Sequence, residues 1–213
     1  MSSSNNIVVA SYVKELAEPS LRNVVWESCE PVRIEHYWSG DPAPATRHAE
    51  ARTCWSEAAL HFRFVCEQNE ALVISEHPLT SVKTLGLWDR DVCEVFLAPD
   101  LKASHRYYEF EAAPTGEWVD LGIELTAQER KTDWDYKSGM TAITEIEETQ
   151  IKVAISIPWS DDIPKPKSGD NWGINLFRCV GSDEQTRYLA WRPTRTPQPN
   201  FHVPLAFGLL KFK

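Results

Sequence analysis

Gly86-Leu87-Trp88-Asp89-Arg90-Asp91-Val92-Cys93-Glu94-Val95-Phe96-Leu97 is the stretch on which the reading of this chain turns. Glycine opens a turn, a tryptophan stands beside two aspartates, and from Val92 onward the side chains alternate as they do along a β-strand. Val92, Glu94 and Phe96 share one face; Cys93, Val95 and Leu97 share the other. One carboxylate therefore falls on an otherwise apolar face. Burying it without a partner is unfavourable, so Glu94 calls for a cation, hydrogen-bond donors or a hydroxyl-rich ligand.

The same period of two recurs on both sides of this strand. Downstream, Tyr108, Phe110 and Ala112 alternate with Tyr107, Glu109 and Glu111, which again places two carboxylates on one face. Pro114-Thr115-Gly116 then makes a turn, and Glu117 to Gly122 returns as the hairpin partner. Upstream, His48 to Glu67 reads as a hairpin whose second arm sets Leu60, Phe62, Phe64 and Cys66 against His61, Arg63 and Val65. Between Gln68 and Leu87 the pattern lapses into a long link that leads directly into Trp88, and links of this length in a compact domain are often functional.

Further strands are expected at Ile7 to Val13, Val32 to Tyr37, Trp172 to Val180, Arg187 to Trp191 and Phe207 to Phe212. Met140 to Glu147 and Ile151 to Ile157 form another hairpin, the second arm having isoleucine or valine at every other position. Glu18-Pro19 belongs to a link; Asp161 to Asp170 and the Pro-rich Thr194 to Pro204 are loops. The polar segment Glu124 to Gly139 reads as an irregular excursion with at most one helical turn. No internal repeat and no amphipathic helix appear. The expected fold class is all-β: an antiparallel β-sandwich of jelly-roll or immunoglobulin-like topology, with long loops and at most short helical turns. One domain is expected over residues 1–213, with 1–6 as a flexible leader.

Composition narrows the ligand classes. A formal charge of −9, from 31 acidic and 22 basic residues, repels phosphate backbones and argues against nucleic acid or an anionic membrane. Neutral ligands and cations fit better. No apolar run approaches the roughly 20 residues of a transmembrane helix. The opening Met-Ser-Ser-Ser-Asn-Asn has neither the basic nor the apolar region of an export signal. A cytoplasmic location is therefore expected, or a secreted one if a leader has been trimmed. The five cysteines are odd in number and lack C-x-x-C spacing, which fits buried thiols better than disulfides or zinc. No Ser-His-Asp set, phosphate-cradling glycine loop or nucleophile elbow is present.

An aromatic plate six residues before a strand carboxylate suits a sugar, whose C–H faces stack on rings while its hydroxyls seek acceptors. Two other readings rest on the same residues. Asp89, Asp91, Glu94, Glu109 and Glu111 supply carboxylates for a glycoside hydrolase, which needs two of them flanking a subsite. The loop acids Asp89, Asp91 and Asp183 offer hard oxygens for a structural calcium ion, without EF-hand spacing.

Taken in order, Leu60-His-Phe-Arg-Phe64, Leu87-Trp-Asp-Arg-Asp-Val-Cys-Glu-Val-Phe-Leu97, Tyr107-Tyr-Glu-Phe-Glu111, Val153-Ala-Ile-Ser-Ile-Pro-Trp159, Trp172-Gly-Ile-Asn-Leu-Phe-Arg178, Leu189-Ala-Trp-Arg-Pro193 and Asn200-Phe-His-Val-Pro-Leu-Ala-Phe-Gly208 resemble the family 9 carbohydrate-binding modules of the DOMON-like β-sandwich group, over roughly residues 24 to 213. The resemblance implies a non-catalytic domain that clamps the end unit of a mono- or oligosaccharide between two rings. Trp88 matches the first ring and Phe201 the second, which is usually Trp. Glu94 matches a hydroxyl-binding acid, and Glu111 stands where such a module can carry Arg. Gln198 and Asn200 would add hydrogen bonds, and Arg178, which recurs in sandwiches of this type, would either contact the ligand or neutralise Glu94 or Glu111. Relatives of the sandwich also hold haem through Met and His, for which His36, His61, His202 and Met140 are the residues available.

Overall fold

A computed structural model describes residues 6–14, 16, 18 and 20–213; the expected leader, apart from Asn6, and Pro19 of the first link lie outside the described residues. Fourteen strands account for the regular structure among them, joined by long loops and short 3₁₀ turns: β1 (Ile7–Tyr12), β2 (Val32–Ile34), β3 (His36–Tyr37), β4 (Ala49–Trp55), β5 (Ala59–Glu67), β6 (Val92–Ala98), β7 (Arg106–Ala112), β8 (Trp118–Leu125), β9 (Arg130–Asp133), β10 (Thr141–Ile146), β11 (Gln150–Pro158), β12 (Asn171–Cys179), β13 (Tyr188–Ala190) and β14 (Gly208–Phe212). None of the described helical turns is long and apolar enough to cross a membrane.

The strands form two layers. One runs β10-β11-β5-β4, with β2 on the outer edge of β4; the other runs β14-β12-β6-β7-β8-β9, with β13 and β3 continuing past β14 along the edge of β12. All these neighbours pair antiparallel. β1 is the exception, because its first four residues pair parallel with β14 and its last two pair parallel with β4. It thereby belongs to both layers and joins their hydrogen-bond ladders.

Alternation decides what each layer buries. Phe62, Phe64, Val153 and Ile155 from the first layer meet Val95, Leu97, Phe110, Leu176 and Ile174 from the second, forming the core between them. The second layer is also covered on its outer face. There Val92, Phe96, Tyr107, Val119, Leu121 and Phe177 make a smaller cluster under Trp38, Leu87, Ala190 and Phe201 from loops and β13. A sheet covered on both faces explains why β6 and β12 carry few exposed polar residues.

Two expectations change here. The excursion at Glu124 to Gly139 contains β9, which pairs with β8 through Gly122↔Asp133 to Leu125↔Arg130, and no helical turn. Its four residues are polar or charged, so no apolar period announces it. Arg178 faces the core between the layers, where it lies opposite Cys93 and donates to the Arg47 and His48 carbonyls (2.8 and 2.9 Å) and to Gln68 Oε1 (2.7 Å). It ties β12 to the start of β4 and contacts neither Glu94 nor Glu111.

Candidate functional site

The outer face of the second layer holds a cavity of about 250 Å³. Its floor is sheet: Glu94 and Phe96 from β6, Glu109 from β7, Leu121 and Ile123 from β8. One wall is Trp88; a second is the alternating run Arg130 and Thr132 of β9 with Trp134 just past its end; a third is the loop Pro199 to His202.

Each wall is pinned. Gly86 adopts φ 78°, a left-handed conformation that a side chain would strain, and this turns the chain into Leu87–Asp89. Leu87 is fully buried, Arg90 pairs with buried Glu117 at 2.7 Å, and Asp91 Oδ1 accepts from the Gly181 N–H at 2.8 Å. Trp88 is thus presented between fixed points. Trp134 is held through its backbone: Lys83, paired with buried Asp120 at 2.8 Å, donates to the Trp134 and Tyr136 carbonyls, while Asp120 also accepts from Ser138. The third wall hangs on Trp38, whose indole donates to the Thr196 carbonyl at 3.1 Å.

Trp88 and Trp134 face each other across 6.3 Å between ring centroids at 42°, and Trp134 remains 46% exposed. They form an open aromatic corner. Phe201 lines the same cavity but is mostly covered, stacked on Phe177 at 3.9 Å and 15° with Tyr188 against it edge-on. Trp88 and Phe201 therefore meet at one cavity, while the more accessible ring opposite Trp88 is Trp134.

Beneath the rings lie the acids. One oxygen from each of Glu94, Glu109 and Glu111 lies within 4.8 Å of the other two, and all three residues are buried. Burial, helped by the charge of Glu109, raises Glu94 to about 8, so its carboxyl holds a proton near neutrality; burial likewise raises Glu109 and, more strongly, Glu111. The Cys179 thiol donates to Glu94 Oε1 at 3.1 Å. The Tyr107 hydroxyl and His202 Nδ1 share a hydrogen bond at 2.8 Å, and His202 Nε2 faces Glu109 Oε2 at 3.9 Å. Burial lowers His202 to about 3, so it is neutral at physiological pH.

The remaining expected residues divide. Asn200 stands at the rim with its side-chain oxygen accepting from the His202 N–H. Glu111 shares the face of Glu94 and Glu109 but is fully buried and does not border the cavity, and Arg178 lies on the opposite face. Gln198 is exposed and does not border the cavity; only its carbonyl is engaged, by Thr196. Asp89, Asp91 and Asp183 do not converge: Asp91 is a buried tie to Gly181, whereas Asp89 and Asp183 are exposed. Among the described residues the carboxylates that do gather are those of Glu94, Glu109 and Glu111. Sequence reasoning missed Arg130, Thr132, Trp134 and Tyr188 as cavity residues. A tryptophan between two aspartates in a polar segment, Asp133-Trp134-Asp135, was the available signal.

Comparison with known proteins places these features in a family. A family model described as carbohydrate family 9 binding domain-like matches residues 21–213. Among solved structures, a Bacteroides uniformis protein provisionally described as carbohydrate-binding superposes with a TM-score of 0.74 at 18% identity, covering 98% of this chain and 99% of the other. A family 9 carbohydrate-binding module from Caldicellulosiruptor kristjanssonii, solved in complex with cellotriose and with glucose, superposes with a TM-score of 0.68 at 15% identity in both cases. Those two pairings cover 97% of this chain, and 93% and 95% of the module. No curated protein matches the chain.

Proposed function

The chain belongs to the carbohydrate family 9 binding domain-like family, and on that footing we propose that it is a non-catalytic carbohydrate-binding domain that seats the end unit of a mono- or oligosaccharide in the cavity of the outer sheet face. The observation that carries this reading is the meeting of Trp88, Trp134 and Phe201 over a floor bearing Glu94 and Glu109 in one pinned cavity. The two indoles offer flat apolar faces to sugar C–H groups, each contributing on the order of 1 kcal/mol beyond buried area. Glu94, Glu109, Asn200 and Arg130 border the same space and can meet ring hydroxyls as acceptors or donors. Phe201, spent largely on Phe177, supports the corner more than it closes a parallel clamp.

The competing chemistries are less well supported. Hydrolysis needs two carboxyl groups on opposite sides of a glycosidic bond, whereas Glu94 and Glu109 project from adjacent strands of a single floor. For haem of the DOMON kind, Met140 is buried in the core, His61 is buried with both ring nitrogens bonded to Ser56 and Ser156, and His202 is engaged by Tyr107.

Calorimetric titration with glucose, cellotriose and a panel of other mono- and disaccharides tests the reading, repeated on Trp88→Ala and Trp134→Ala. Saturable heat for at least one sugar, lost in both variants, is expected. Binding that survives both substitutions would place the sugar elsewhere and sink the proposal.

A further inference from the structure

The three carboxyl groups under the cavity have few hydrogen-bond partners in the protein. Glu111 is 0% exposed and neither of its oxygens has a hydrogen-bond partner; Glu109 Oε2 is buried and without one as well. Glu94 and Glu111 sit directly opposite each other on β6 and β7, where like charges repel. The groups that approach are a thiol on Glu94, a neutral imidazole 3.9 Å from Glu109 and the buried Arg187, whose charge acts on Glu94 without an ion pair while its guanidinium donates to the Arg90 carbonyl. Arg130 borders the cavity from its exposed edge and forms no ion pair with the three acids among the described residues.

We propose that Glu94, Glu109 and Glu111 are the protein ligands of a hard divalent cation of the calcium or manganese class, held at the floor of the cavity. Three oxygens within 4.8 Å of one another surround a common point at the metal–oxygen distance of about 2.3–2.6 Å after small side-chain adjustment. An all-oxygen carboxylate set selects hard cations over thiophilic ones. The geometry also supplies a path, because Glu94 and Glu109 border the cavity and the buried Glu111 lies within reach of both. One divalent ion would balance the repulsion across the β6–β7 pair and give the orphaned oxygens of Glu111 their partner. Its open coordination positions face the cavity, where ligand hydroxyls would fill them. This last step rests on the carbohydrate-binding reading; the ion site itself does not.

Terbium titration of the metal-stripped full chain tests the site, since Trp88 and Trp134 border the same cavity and would sensitise bound Tb³⁺. Saturable emission at one site, displaced by Ca²⁺, is expected. It should weaken roughly 10- to 100-fold in Glu111→Gln, by analogy with the loss of a supporting ligand, and stay unchanged in Asp183→Asn. Circular dichroism checks that the variant folds; if Glu111→Gln does not, Glu94→Gln and Glu109→Gln make the same test. No saturable emission, or an affinity indifferent to all three changes, overturns the site. Calorimetry with glucose and cellotriose in EDTA and then in Ca²⁺ separates the two readings. Sugar heat that vanishes with chelator and returns with Ca²⁺ supports the ion as a bridge to ligand hydroxyls, and sugar binding indifferent to the ion overturns that bridge. Sugar binding without any terbium site leaves the carbohydrate reading standing and removes the ion. Terbium binding without response to any sugar keeps the ion and removes the carbohydrate reading.

Discussion

Val95 and Glu94 are neighbours in the chain, yet they serve different parts of the molecule. Val95, with Leu97 and Phe110, points between the two layers into a mostly apolar core, where buried Arg178 donates from its two terminal nitrogens to two carbonyls and an amide. Glu94, with Phe96, Glu109 and Glu111, points the other way, onto a face covered only by loops and one short strand, where carboxyl oxygens lack partners. One pair of strands thus carries an apolar face and an acid-bearing one. The contrast separates residues that hold the fold from residues poised to hold something else, since unpaired buried acids are destabilising unless a ligand or proton meets them.

The contrast can be broken first at its apolar side. Phe110→Ala should destabilise the protein by about 3–5 kcal/mol in a urea or thermal unfolding experiment, as removal of a buried ring from a packed core does, while the folded fraction still binds sugar. Trp88→Ala should do the reverse, weakening sugar affinity by about tenfold or more with a change in stability near 1 kcal/mol or less, because that ring is only partly covered. Should Trp88→Ala lower the unfolding midpoint as much as Phe110→Ala, the division between the faces fails.

Two pH responses of opposite sign sharpen the same comparison. Glu94 is raised in the folded protein from 4.5 to about 8 by burial and by Glu109, so the native state binds the extra proton between those values. With chelator present, the Glu94 contribution to stability should be fullest below about pH 4.5 and decline as pH rises toward 8, and Glu94→Gln should flatten that decline. His61, in the first layer, is lowered from 6.5 to about 4 by burial between Ser56 and Ser156. Its contribution is present above pH 6.5 and lost as pH falls toward 4, an acid limb that His61→Gln should reduce. Unfolding midpoints measured across the pH range would show both limbs; a stability that rises from pH 5 to 8 in chelator despite Glu94 would contradict the assignment.

Much of this architecture is legible in a period of two. The alternation in Leu60 to Cys66, Val92 to Leu97, Tyr107 to Ala112 and Ile151 to Ile157 identifies strands and sorts their faces, including the shared face of Glu109 and Glu111. What alternation leaves open is the pairing between strands. That Arg178 lies opposite Cys93, and so on the face away from Glu94, follows from the β6–β12 register, which no local pattern encodes. β9 is invisible for another reason: an edge strand of Arg130-Lys-Thr-Asp133 is recruited by the ladder of β8 and not by apolar burial, and Trp134 comes with it. Phe201 was legible as a cavity residue, but its stacking on Phe177 depends on the path of a Pro-rich loop.

β1 gives these two faces a common fate. Val8 pairs with Leu210 in the cavity-bearing sheet, and four residues later Tyr12 pairs with Trp55 in the other, so one short segment stitches both amide networks together. Neither sheet can shed its edge without loosening the other. In amide hydrogen exchange the slowest protons of β5 and of β12 should accordingly share a single opening event, and substituting Val9 by proline, which removes an N–H and fixes φ at mid-stitch, should split that event into two.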